Sequence, residues 1–225
     1  MEHLLVKISI MLVPALLAIT VHEVAHGYAA DRLGDPTARL LGRLTLNPLR
    51  HLDPVGALAL LFFGFGWARP VPVNFSNLRN PKRSMLWVAL AGPGANLCLA
   101  ILSAVVLQAL GFIESVLPMN ISLVTKPIAL MAAFSLYINI ILAVFNLVPI
   151  PPLDGGRILS SLLPARQAAL LAHIEPFGFM LVIALVFFTD IWQLVLGPII
   201  FFLVSLLADQ QIVVVNDVVR FLFSH

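Results

Sequence analysis

Residues 20–27 read Thr-Val-His-Glu-Val-Ala-His-Gly, and the spacing of their side chains suggests what chemistry they could do. His22 and His26 stand four residues apart, so on a helix their imidazoles share a face and can reach one metal ion together. Glu23 lies beside them, where a carboxylate can polarise a water held by that metal. With six histidines in 225 residues, chance would supply roughly 0.003 such His-Glu-x-x-His patterns. The surrounding helix is apolar, and in a bilayer three ionisable groups without partners cost several kcal/mol, so a bland structural role is the weaker reading. A catalytic zinc site takes three protein ligands and keeps a fourth position for water, so a third ligand must come from elsewhere in the chain. Asp154 is the candidate, in Asn146-Leu-Val-Pro-Ile-Pro-Pro-Leu-Asp154-Gly155-Gly156-Arg157. On its residues alone this run reads at least as well as a turn whose aspartate caps the next helix.

These side chains need a scaffold, and the composition indicates its class. Of 225 residues, 60% are apolar and 11% charged, and the mean hydropathy is +1.02. A soluble globular domain is excluded, and one integral-membrane domain over residues 1–225 is expected. Residues 4–30 are long enough to span, and their histidines and glutamate argue for a retained helix rather than a discarded signal. Residues 31–54 are polar and rich in turn formers. Residues 55–67 and the proline-bearing stretch 69–75 suggest a small re-entrant or interfacial β-hairpin with an edge strand, between the first and second helices. Further spans are expected at 84–113 and at 127–148, the latter opening with Pro127 in its first turn. Residues 155–172 suit a helix packed on protein. Residues 177–208 suit two short helices broken near Thr189-Asp190, and the tail 209–225 suits an interfacial segment. The expected fold is mainly α: a polytopic membrane bundle of about five to six helices.

The net charge of +2 is too slight for a nucleic-acid partner. Cys98 is the only cysteine, which excludes an intrachain disulfide and any multi-cysteine metal site. Residues 31–83 hold eight basic side chains, whereas 114–126 hold only Lys126. The positive-inside rule therefore places 31–83 in the cytoplasm and the amino terminus outside, with residues 22–26 toward the cytoplasmic end of the first helix.

The two separated motifs, His22-Glu23-Val-Ala-His26 and the Pro-Pro-Leu-Asp154-Gly-Gly core, resemble those of the site-2 proteases, which are intramembrane zinc metalloproteases. Residues 42–54 and 91–96 are also similar to recurring segments of the compact members. The resemblance implies one Zn2+ per chain held by His22, His26 and Asp154, with Glu23 as catalytic base. It implies peptide-bond hydrolysis in or near a transmembrane segment of a membrane protein or peptide, within the lipid bilayer of a bacterial or archaeal cell membrane. Asn96 and Asn146 could donate hydrogen bonds to a substrate carbonyl, though bonds between helices account for each as well. Val71 and Val73 could pair with an unwound substrate by β-augmentation, since Pro70 and Pro72, two apart, face the same edge of a strand. His51 and Asp53 could line the cavity, but ordinary hydrogen bonding in a polar loop is the better reading. Gly92, Pro93 and Gly94 suit close helix packing. Longer members carry peptide-binding or regulatory domains that 225 residues do not accommodate, which leaves substrate choice to the membrane core, a separate regulatory partner or another copy of the chain. A zinc-binding membrane transporter is the rival reading. It would need ionisable groups at several depths, and here they cluster at one.

Overall fold

The computed structural model describes residues 2–56, 68–117 and 121–223. It is mainly helical, because a chain surrounded by lipid must satisfy its backbone donors and acceptors within itself. Helix α1 runs over Glu2–Arg32 and α2 is the single turn Thr37–Leu40. Helix α3 covers Pro81–Val116 and α4 covers Ser122–Asn146. The shorter helices α5, α6 and α7 follow at Asp154–Leu162, Ala165–Ile174 and Gly178–Phe188. A π-helical turn at Trp192–Leu196 leads into α8, Gly197–Ala208, and α9 is Ile212–Phe223. Among the described residues, four stretches are long and apolar enough to cross a membrane: Val6–Arg32, Pro81–Val116, Leu123–Asn146 and Trp192–Leu222. A fifth arises if the pair Ala165–Phe177 and Met180–Phe188, bent by 75°, counts as one.

Several expectations are refined. Pro127 lies inside α4 rather than in its first turn, because the helix starts at Ser122, and the helix forgoes the bond a residue-127 N–H would have made to the Leu123 carbonyl. The chain does break at Thr189, whose backbone is extended. The tail, expected as an interfacial segment, is helical over α9 and buries Val215, Val218 and Leu222, and most of α9 belongs to the candidate span Trp192–Leu222. The tip of the expected hairpin, residues 57–67, lies outside the described residues. Among those described there is no sheet, only an isolated antiparallel bridge between Leu52 and Ala68. Residues 69–74 form no ladder: Pro70 and Pro72 have no N–H, and the Val71 N–H is taken by a side chain.

The chain divides into two compact units. One comprises residues 1–18, 96–144 and 192–225. Small residues such as Ala18, Ala100, Ala104, Ala133 and Ala143 are buried there, so helices can approach closely without a hydrophobic drive between them. A polar ladder runs through it. The Asn96 amide donates to the Ala18 carbonyl (3.2 Å) and to Asn139 Oδ1 (2.8 Å), Asn139 donates to the Ser135 carbonyl (2.9 Å), and Ser103 Oγ donates to Ser135 Oγ (2.8 Å).

The other unit comprises residues 19–95 and 145–191. Buried Asp35 organises its connection, accepting hydrogen bonds from the Thr37 hydroxyl and N–H, the Asn74 N–H (2.6 Å) and the Asn77 amide (2.9 Å). Burial pushes the Asp35 carboxyl up, but the donors from Thr37, Asn77 and Asn74 outweigh it and hold the carboxyl below its usual range. The Arg43 guanidinium donates to the Arg69 carbonyl (2.9 Å) and the Pro70 carbonyl (3.3 Å), and the Arg69 N–H donates to the His51 carbonyl (2.8 Å). Residues 69–71 are thus held from both sides.

Candidate metal centre

The site lies within this second unit and is assembled from three elements. Helix α1 supplies His22 and His26, whose rings meet edge-on with centroids 4.6 Å apart. The start of α5 supplies Asp154. Its Oδ2 lies 3.2 Å from His22 Nε2 and 3.1 Å from His26 Nε2, and the two Nε2 atoms are 3.0 Å apart. All three residues are buried. Helix α3 orients His26, because the Val88 carbonyl accepts from His26 Nδ1 at 2.7 Å, which leaves the Nε2 lone pair directed at the cluster.

The donor set fits zinc. A tetrahedral ion with ligands at about 2.0–2.2 Å holds its ligand atoms about 3.3–3.6 Å apart, so the observed separations need open by only a few tenths of an ångström. Asp154 Oδ2 is a buried oxygen with no conventional hydrogen-bond partner, as a position prepared for a cation would be. Burial pushes the Asp154 carboxyl up, but the His22 and His26 imidazoles beside it outweigh this, and the carboxyl lies well below its usual range.

Glycines determine how near the backbones come. A Cβ on Gly92 would sit 2.3 Å from His26 Nε2 and 2.7 Å from His22 Cε1, so α3 can pass the two imidazoles only without a side chain there. A Cβ on Gly155 would meet the Leu147 and Val148 carbonyls at 2.3 Å, and one on Gly156 would meet the Pro151 nitrogen at 2.4 Å. The two glycines let the loop fold back on the first turn of α5 and so position Asp154. Asp154 is not a cap: Leu153 holds the N-cap position, and no side-chain capping bond is made.

Glu23 is half-buried and accepts the Val71 N–H at Oε2, 2.8 Å away. The Val71 donor, expected at an open strand edge, is instead directed at Glu23, and the Val71 side chain is buried. Val73 is half-buried in the same stretch. Asn146 ends α4, half-buried, within the unit that holds the cluster. Asn96 is fully buried and bonded to Ala18 and Asn139 in the first unit. His51 Nε2 bonds the Thr45 carbonyl (2.8 Å) and Asp53 accepts the Gly56 N–H (2.8 Å), so both are engaged in loop structure. Two participants have no side-chain signal to reveal them: the Val88 carbonyl and the Val71 amide. Gly92 is legible in the sequence as a packing residue but not as a neighbour of the ligands.

Comparison with known proteins agrees with this chemistry. The profile of peptidase family M50 matches residues 10–189. The chain belongs to family M50, the site-2 proteases. It is 40% identical over 198 residues to a Bacillus subtilis protein named "Putative zinc metalloprotease YwhC", an alignment covering 84% of each chain. A Mycolicibacterium smegmatis protein, Rip2, bears the same description and is 31% identical over 76% of this chain and 63% of its own length. The zinc metalloprotease MJ0392 of Methanocaldococcus jannaschii is 25% identical over 72% of this chain and 37% of its own. No solved structure matches this chain. As a member of family M50 the protein is a zinc-dependent metalloprotease and an integral membrane protein, and the transporter reading loses its ground.

Proposed function

We propose that this M50 protein is an intramembrane endopeptidase whose zinc is held by His22, His26 and Asp154, and whose general base is Glu23. The convergence of three buried ligand atoms within 3.2 Å of one another, on elements that include the helix carrying Glu23, supports this reading most directly. Held by His22, His26 and Asp154, zinc would supply a Lewis acid able to acidify water and polarise the scissile carbonyl. Glu23 takes the proton of the attacking water on a carboxylate oxygen and delivers it to the leaving nitrogen. The Val71 N–H fixes one Glu23 oxygen by a hydrogen bond, which orients the other. The α3 backbone at Gly92 and Val88 holds the imidazoles in place.

The substrate is a transmembrane protein or peptide, locally unwound so that its amides and carbonyls become reachable. Residues 69–75 run beside Glu23 and are suited to lie along such an extended segment. Val71 is committed to Glu23, so the pairing role rests on Val73. Asn146, in the unit of the metal cluster, is the better placed of the two asparagines to contact a substrate carbonyl, whereas Asn96 acts between helices. The excess of basic residues in 31–83 supports an active site opening toward the cytoplasmic face of a bacterial or archaeal cell membrane. A separate regulatory protein or a second copy of the chain would contribute to substrate choice.

The test compares wild type with Glu23→Gln for zinc content and for cleavage of a panel of single-span substrates in vesicles. One zinc in both, with cleavage at least about a hundredfold slower in the variant, is expected. Loss of zinc from the variant would make Glu23 a ligand and overturn the assignment of roles.

A further inference from the structure

The connection between the first two spans contains a second concave, polar site. Arg43, Arg50 and Arg69 converge on a pocket of about 470 Å3 whose walls also include Leu41, Leu49 and Pro70. None of the three arginines forms an ion pair among the described residues, where Asp154 and Asp31 are the carboxylates engaged by basic groups. Arg43 is 9% exposed, and its buried Nε has no hydrogen-bond partner. Burial and the neighbouring Arg69 lower the affinity of the Arg43 guanidinium for its proton, while Glu23 nearby raises it, and the residues that line the pocket include no carboxylate. Three guanidinium forks without carboxylates suit the several oxygens of a phosphate.

The apolar part of the pocket distinguishes the source of that phosphate. Leu41 and Leu49 form part of its wall and are both exposed. A free phosphate ion would gain nothing from them, whereas the glycerol and acyl portion of a lipid would cover them. We propose that Arg43, Arg50 and Arg69 form a binding site for the phosphate of an anionic phospholipid headgroup, with Leu41 and Leu49 against its acyl chains. The site bears on the metal centre through the backbone. Arg43 also clamps the Arg69 and Pro70 carbonyls, immediately before the Val71 amide that holds Glu23. A lipid seated on the arginines therefore stiffens the segment that orients Glu23.

The experiment uses the full chain in neutral detergent and measures retention of dioleoylphosphatidylglycerol or dioleoylphosphatidylcholine by native mass spectrometry. Arg50 and Arg69 are more exposed than Arg43, so the double variant R50Q/R69Q leaves the Arg43 clamp intact, and each single variant serves if the double one is poorly folded. R79Q/R83Q removes the same charge from exposed positions outside the pocket. The expected result is one tightly held phosphatidylglycerol in wild type and in R79Q/R83Q, bound roughly thirtyfold more weakly by R50Q/R69Q, and not displaced by inorganic phosphate. Equal weakening in both double variants would show diffuse surface charge and overturn the site. Displacement by inorganic phosphate would assign the pocket to the free ion and overturn the lipid. The readout needs no proteolysis, so failure here leaves the proposed enzymatic reading standing, and failure of that reading leaves this one standing.

Discussion

At the scale of single residues, the metal centre depends on side chains that bind and on one position that must have none. Asp154 contributes the only carboxylate of the three clustered groups, so on the proposed assignment Asp154→Ala removes both a ligand and the negative charge that compensates a divalent cation. Zinc affinity is expected to fall by at least about tenfold, read by competition with a calibrated chelator. Gly92 is the subtler case. Alanine there would place a methyl carbon 2.3 Å from His26 Nε2 within a long helix that cannot easily shift, so the imidazole must rotate away. We expect Gly92→Ala to retain its helical content by circular dichroism while losing zinc and hydrolysis together. An intact metal content would show that α3 yields instead. Glu23→Gln is expected to differ, keeping its zinc while losing hydrolysis, if Glu23 is the general base as proposed.

At the scale of elements, legibility follows the physics of the solvent. The spans at α1, α3 and α4 are readable from the sequence because lipid forces long unbroken helices, and apolar runs of that length fit little else. Thr189-Asp190 marks the break before the last helices for the same reason. The stretch 69–75 resembles a plain edge strand because strand patterns carry no information about where a donor goes, and the Val71 donor goes to Glu23. Asp154 looks equally like a cap, since its neighbours are turn residues either way. Only the α5 geometry separates the two readings. Asp35 has no sequence signal to set it apart from the loop's other polar residues, although it accepts from four donors, two of them on Thr37 and two, from Asn74 and Asn77, that tie it to residues 74–77. Its folded carboxyl lies below the usual range, so it binds a proton more weakly folded than unfolded. Its stabilisation is therefore complete above the unfolded value near about pH 4 and is lost as pH falls through the folded one. Asp35→Asn is expected to lower stability by about 2 kcal/mol at neutral pH, and to flatten the fall in melting temperature between about pH 5 and pH 3 relative to wild type. An unchanged acid profile would mean that the loop is held by other contacts.

At the scale of the whole molecule, the enzyme must admit water to a buried metal centre from one side of the membrane, and the charge distribution indicates which. By the positive-inside rule, eight basic residues in 31–83 against one in 114–126 are expected to put the polar connection in the cytoplasm. The lone Cys98 makes this directly measurable, because a Cys98→Ser background contains no other thiol. Ser76 lies exposed in the connection before α3, and Ser115 lies exposed in the last turn of the same helix. Pro81–Val116 is 36 residues long, about 54 Å at 1.5 Å per residue, enough to carry those positions to opposite faces of a bilayer. In right-side-out vesicles a membrane-impermeant maleimide should label Ser115→Cys and leave Ser76→Cys untouched, with the pattern reversed in inverted vesicles. Labelling of both variants from one side would mean that α3 does not cross. A reversed pattern would place His22, Glu23 and His26 near the outer face, and water would then have to reach them from outside the cell.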